Sequence, residues 1–269
     1  VTLRQSPLRV RVLRSGSSGN AILVEAGPTR FLIDAGLTAE AVLREIGQDG
    51  QAPCLDAILL THEHDDHASG AAAVGRATGA VVLANEPTLR AAGSLLAGVR
   101  VELFKPGRTF ALGSVEVTPF PLPHDAAEPV GFVLCVDGVR AAIATDLGEV
   151  TDELLTRARG ADLFVLEANY DLGLMAVSSY PWFLKNRIVS AKGHLSNDGA
   201  ARAAVAALNG RPQTICLVHL SEANNLAPLA RDTVRAALDA AGARGVRVEA
   251  VRPNSAGPWW TAPPAPGNP

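Results

Sequence analysis

A short apolar run ending in a dense cluster of metal-type ligands constrains this chain more than any other feature. Residues 57–61, AILLT, read as a buried strand, and the strand leads straight into His62-Glu-His64-Asp-Asp66-His67, the pattern H-x-H-x-D-H. Where a strand opens into a loop, side chains at i and i+2 point the same way. His62 and His64 can therefore grip one metal ion, while Asp66 and His67, one step on, face a second. Imidazole with carboxylate suits Zn, Mn, Fe or Ni rather than Ca, and with no Cys in the motif the harder Mn stays in range.

The chain has six histidines, and the three outside this motif all lie beside strand-like runs. His124 stands in PLPHD before PVGFVLCV, His194 in GHLSN at the mouth of a helix, and His219 at the end of TICLVH. Asp146 closes RAAIATD in the same way. Strand ends gather on one edge of a sheet, where α/β proteins build their sites. That edge would bring these distant residues to the HEHDDH loop.

Strands come in two series, each with helices attached. LRVRVLR, AILVEA, RFLIDAG, AILLT and AVVLA form the first, with helices at 38–46 and 69–78. VELF, TFAL, VEVTPF, PVGFVLCV, VRAAIAT, LFVLE, TICLVH and VRVEAV follow, with helices at 151–159, 197–208 and 228–241. Two sheets packed face to face with helices outside, a four-layer αββα sandwich of the α/β class, accommodate this order. Residues 1–252 would form that domain and 253–269 a Pro/Gly-rich C-terminal tail, partly anchored by Trp259-Trp260 and otherwise poorly ordered. The SGSSGN run at 15–20 lacks the Lys of a phosphate-binding loop and reads as a tight turn beside the site.

Bulk properties narrow the setting. The 269 residues include no apolar stretch long enough for a membrane span, and the start has no signal-peptide pattern, so a cytoplasmic protein without membrane attachment is expected. The three cysteines, Cys54, Cys135 and Cys216, have no paired spacing, as in a reducing compartment. Net charge is −3, so nucleic-acid binding would rest on bound dications and a local basic patch.

The motifs SGSSGN, THEHDDH, PHDAAEPVGF, TDLG, LEANYD, YPWFLKNRI, KGHLSN and VHLSEANN resemble the metallo-β-lactamase superfamily, and within it the bacterial WalJ/YycJ-type 5′-to-3′ DNA exonucleases, over residues 10–235. The resemblance implies the metallo-β-lactamase fold. It also implies two divalent metal ions, Mn or Zn with Fe or Ni as further candidates. His62, His64 and His124 would hold one, Asp66, His67 and His219 the other, Asp146 would bridge them, and Asp34 would orient the His loop from behind. The interval from Asp146 to His219 is 73 residues (219 − 146), too short for the β-CASP insertion of RNA-processing relatives. Where the family has Ser-His-Asp, this chain reads Pro-His-Asp at 123–125.

The implied activity is phosphodiester hydrolysis by a hydroxide shared between the cations, on DNA with a free 5′ end, acting in repair and without an obligate protein partner. Asp66, His194 and Glu167 are the catalytic candidates. His194 would serve as proton donor or phosphate clamp, with Glu167 raising its pKa. Ser196 and Asn197 at a helix start, and Tyr180, Trp182, Lys185 and Arg187 in one aromatic and basic segment, are the substrate-binding candidates. The alternatives are a phosphodiesterase acting on tRNA 3′ ends or cyclic nucleotides, and then a thioester hydrolase.

Overall fold

Strands buried on both faces read as continuous apolar runs, and the computed structural model shows where each face goes. It describes residues 7–47, 54–210 and 213–263. In the first sheet, β1 (Arg9–Arg14), β2 (Ala21–Ala26) and β3 (Thr29–Ile33) are antiparallel, and β4 (Ala57–Leu59), β5 (Val81–Ala84) and β6 (Val101–Leu103) continue in parallel. The second repeats the plan. There β7 (Phe110–Leu112), β8 (Val115–Pro121), β9 (Val130–Val136) and β10 (Val139–Ala144) are antiparallel, and β11 (Leu163–Glu167), β12 (Thr214–Val218) and β13 (Arg247–Ala250) are parallel. A late strand, β14 (Trp260–Thr261), joins the outer edge of β1.

Alternation along each strand splits the apolar residues between two layers. Phe31 and Ile33 of β3, Ala141 and Ile143 of β10, and Leu163 and Val165 of β11 meet between the sheets. Their neighbours Ala142, Ala144, Phe164 and Leu166 point outward to helices α5 (Asp152–Ala158), α8 (Asn197–Ala206) and α9 (Ala227–Ala240). Leu32 and Ile58 likewise pack under α1 (Ala39–Ile46), α3 (Ala71–Thr78) and α4 (Glu86–Ala92). The result is the αββα sandwich expected from the order of elements.

Helix starts follow side-chain capping. Thr38, Asn85, Thr151 and Ser196 each accept a hydrogen bond from a backbone N–H of the first turn. The expected helix at 69–78 is shorter, and a one-turn helix α2 (Asp65–Ala68) precedes it inside the HEHDDH motif. Two further short helices, α6 (Leu172–Val177) and α7 (Trp182–Ile188), cross the segment between β11 and α8. Of the expected tail, residues 253–263 carry β14, and 264–269 lie outside the described residues. Among the described residues, no helix is long and apolar enough to cross a membrane.

Candidate metal centre

Strand ends from both sheets meet at one seam, and the backbone is bent there to aim side chains inward. Asp34 follows β3, Asp146 lies just past β10, and His219 follows β12; their φ angles are 61°, 60° and 55°. A non-glycine residue in this region costs on the order of 1–3 kcal/mol and persists where its surroundings over-determine it. For His219 the restraint is visible, since its N–H donates to Ser15 Oγ at 2.7 Å. Asp34 and Asp146 occupy equivalent places, each after the last antiparallel strand of its sheet.

All six histidines form one connected group. Ring centroids lie 4.6 Å apart for His62–His64, 4.2 Å for His62–His67, 5.1 Å for His62–His124, 5.8 Å for His67–His219, and 5.3 and 5.2 Å from His194 to His124 and His219. Acceptors behind the rings set their tautomers. His67 Nδ1 faces Asp34 Oδ2 at 2.7 Å, His124 Nδ1 faces the Gly193 carbonyl at 2.9 Å, and His219 Nδ1 faces Glu167 Oε1 at 3.0 Å. Thr61 passes its hydroxyl proton to Asp34 and accepts from His62 Nδ1 at 2.9 Å. In each case Nδ1 carries the proton, so Nε2 is the atom offered to the seam.

Those offered atoms fit cations. His62 Nε2, His219 Nε2 and Asp146 Oδ2 are buried without a hydrogen-bond partner. His67 Nε2 lies 3.0 Å from Asp146 Oδ2, an ion-pair distance. Unpaired buried polar atoms are costly, and here they converge. Ligand atoms of His62, His64 and His124 fall within 4.8 Å of one another, as do those of Asp66, His67 and His219, and those of His62, His67 and Asp146.

Electrostatics agree. Burial opposes the Asp146 carboxylate, but His219 and His67 hold its pKa well below the usual range. Burial also opposes charge on His67, which Asp146 and Asp34 raise well above the ordinary imidazole value. His219 is lifted to about 10 by Asp146 against burial. Positive charge is thus favoured between these carboxylates, and a bound cation would take the place of the protons.

Glu167 is fully buried, and two backbone amides, of Leu147 and Leu195, donate to its Oε2. Its Oε1 accepts from His194 Nδ1 at 2.7 Å as well as from His219. Burial works against the His194 imidazolium, and Glu167 overcomes it, so the pKa of His194 is raised. Glu167 thus contacts two histidines through one oxygen.

The substrate-binding candidates divide. Tyr180 and Arg187 line a cavity next to His194. Arg187 Nε also donates to Asp125 Oδ2 at 2.6 Å. Trp182 is 75% exposed at the start of α7. Lys185 Nζ donates to the Ala176 carbonyl at 3.0 Å and ties α7 to α6, away from the cavity wall. Ser196 and Asn197 make contacts within the fold. The Ser196 hydroxyl accepts from Gly199 N to cap α8, and the buried Asn197 amide pairs with Asn225 in both directions at 3.0 and 2.8 Å.

Other positioning residues carried no spacing signal in the sequence. Asn20, in the SGSSGN turn, donates to Asp66 Oδ2 at 3.2 Å and reaches His67 Nε2 at 3.0 Å. Asn169 donates to the His219 carbonyl at 2.8 Å and lines the cavity. Gly36 lets the backbone close on the loop, because a Cβ there would lie 1.8 Å from the Asp66 carbonyl oxygen. Serine, asparagine and glycine are common turn residues, and only the tertiary contact distinguishes these ones.

A family model described as "Beta-lactamase superfamily domain" matches residues 29–220. Among curated proteins, the chain is 36% identical over 229 residues to "Exodeoxyribonuclease WalJ" of Streptococcus pneumoniae serotype 2 (strain D39 / NCTC 7466), covering 83% of this chain and 85% of that one. It is 35% identical over 239 residues to "Exodeoxyribonuclease YycJ" of Bacillus anthracis, covering 87% and 90%. Among solved structures, the metallo-β-lactamase fold protein YhfI of Bacillus subtilis superposes with a TM-score of 0.73 at 19% identity, covering 94% of this chain and 99% of that one.

Proposed function

Because the chain belongs to the β-lactamase superfamily and has the metallo-β-lactamase fold, we propose that it is a metal-dependent exodeoxyribonuclease that shortens DNA in the 5′-to-3′ direction. The observation that carries this reading is the convergence of unpaired His62 Nε2, His219 Nε2 and Asp146 Oδ2 beside a protonatable His194. The exodeoxyribonuclease names of relatives 35–36% identical over most of both chains support DNA as the polymer.

In this reading His62, His64 and His124 would hold one divalent cation and Asp66, His67 and His219 a second, with Asp146 as a further ligand. The metals are manganese or zinc. Bound there, they would acidify a water and neutralise charge building on the phosphate. Asp34, through His67 and Thr61, keeps the first loop in register. His194 gives a proton to the leaving oxygen, and Glu167 keeps His194 charged until it does. Arg187, held at Nε by Asp125, turns its remaining guanidinium N–H groups to a phosphate, and Tyr180 and Trp182 present ring faces to bases. The scheme needs neither a membrane nor a protein partner. A cytoplasmic setting suits three free cysteines, and end trimming is a step that DNA repair requires.

The test uses purified protein with Mn or Zn and four substrates: 5′-labelled duplex DNA, single-stranded DNA, RNA and a cyclic dinucleotide. The expected result is early loss of label from DNA with RNA and cyclic dinucleotide intact. A preparation that opens the cyclic dinucleotide and leaves DNA whole would replace this reading with a cyclic phosphodiesterase.

A further inference from the structure

Beside His194 the surface sinks into a cavity of about 220 Å³. Its walls differ in chemistry. Tyr180, together with Leu184 and Ile188 one turn apart on α7, makes an apolar wall. Ser17 from the β1–β2 loop, Asn169 after β11 and Ser221 after β12 offer only uncharged donors and acceptors. Charge enters the lining through one ion pair, Arg187 Nε with Asp125 at 2.6 Å, and through His194 at its edge. A groove built to follow a phosphate backbone presents many uncompensated cations. An apolar wall opposite small polar groups, with the one arginine compensated by a carboxylate, accepts a heterocycle and its sugar instead.

We propose, on the nuclease reading above, that this cavity is the subsite for one unpaired terminal nucleotide, and that this nucleotide is the leaving group. The position of His194 in the lining assigns the side. Hydrolysis forms a bond from water oxygen to phosphorus and breaks the bond from phosphorus to the oxygen of the nucleotide in the cavity. The bonding pair departs with that oxygen, which takes the His194 proton and becomes an alcohol. The proton shed by the water returns to His194 through solvent, so the sum is one phosphodiester and one water converted to an alcohol and a phosphomonoester. The volume lies below the roughly 300–1,000 Å³ of pockets that enclose drug-sized ligands. There is room for about one nucleoside and none for a base pair, so a duplex end has to open before it is cut, and products leave singly.

Two measurements test this. Wild-type protein is given single-stranded DNA, a duplex, and the same duplex with its terminal pair covalently cross-linked, and the products are sized by chromatography. Mononucleotides from the first two and resistance of the cross-linked end are expected. Dinucleotides or longer products, or digestion through the cross-linked pair, would overturn the assignment. In the second measurement, Leu184→Trp fills the apolar wall. Its rate on single-stranded DNA should fall at least tenfold while its melting temperature and metal content match wild type, and an undiminished rate would overturn the assignment. If wild-type protein degrades no DNA at all, the nuclease reading itself fails and the subsite goes with it. Digestion that ignores the cross-link or the tryptophan removes the subsite alone.

Discussion

His194 is held by one strong partner and faces the cavity, which makes its role separable from that of the metal ligands. Its Nδ1 meets Glu167 at 2.7 Å, and although His194 also lies within reach of Asp146 and His219, its replacement leaves the groups of His62, His64 and His124 and of Asp66, His67 and His219 whole. His194→Ala should therefore keep its metal content while the single-turnover rate on a DNA end falls by about 10²–10⁴, the usual range for loss of a general acid. Equal rates would take His194 out of the reaction. Glu167 predicts a pH effect of definite sign. Burial disfavours charged His194, and Glu167 raises its pKa against that. A general acid works while protonated, so a raised pKa extends activity to higher pH. Glu167→Gln removes the charge, lowers the His194 pKa, and should move the alkaline limb of kcat/KM to lower pH, whereas a purely structural loss would lower the whole profile without moving the limb. The HEHDDH ligands were legible because they are contiguous and of rare type. Asn20 and Asn169 were not, because an amide that braces a ligand from a turn looks like any other turn amide until the chain is folded.

Among the elements, β14 shows how local composition and tertiary pairing diverge. A Pro/Gly-rich stretch reads as a tail, yet residues 257–262 close the edge of β1. Gly257 N donates to the Val12 carbonyl, Ala262 N donates to the Leu8 carbonyl, and the Arg9 guanidinium lies 4.0 Å from the Trp259 ring centroid. The Trp259-Trp260 anchor was legible, but the strand pairing was not, because a two-residue strand has no periodicity to read. An open edge strand invites pairing with other chains. Removing residues 257–269 should lower unfolding free energy by about 3 kcal/mol, from about 1 kcal/mol per hydrogen bond and a similar share from aromatic packing. Urea titration measures the loss, and light scattering should show association through the bared β1. A midpoint equal to that of the full chain would mean that the strand adds nothing. The short helices α6 and α7 likewise escaped the sequence reading. At six and seven residues, with Trp182 at 75% and Phe183 at 63% exposure, they lack the one-sided apolar pattern that identifies longer helices such as α9.

At the scale of the molecule, the two sheets are joined in two ways. Between them lies the apolar layer of Phe31, Phe132, Ile143 and Val165. At the seam, each candidate cation site draws on both sheets. His62 and His64 come from the loop after β4 and His124 from the loop after β8, while Asp66 and His67 face His219 beyond β12. Cations there would tie the sheets together and relieve the buried unpaired atoms, so metal affinity is stability of the whole sandwich rather than of one loop. A ligand present at 100 times its dissociation constant adds about 2.7 kcal/mol to the native state. Two such sites give about 5 kcal/mol, which for a chain of this length corresponds to a rise in Tm of about 10–20 °C. Exhaustive chelation should lower the melting temperature by that order in a single cooperative transition, and added Mn or Zn should restore it. Asp34→Asn weakens the acceptor behind His67, so it should lose part of this metal-dependent rise without losing the His62, His64 and His124 group. A melting temperature indifferent to chelator, in protein shown to have carried metal beforehand, would mean that the seam is held by the apolar layer alone. The cations would then be passengers of the fold rather than part of it.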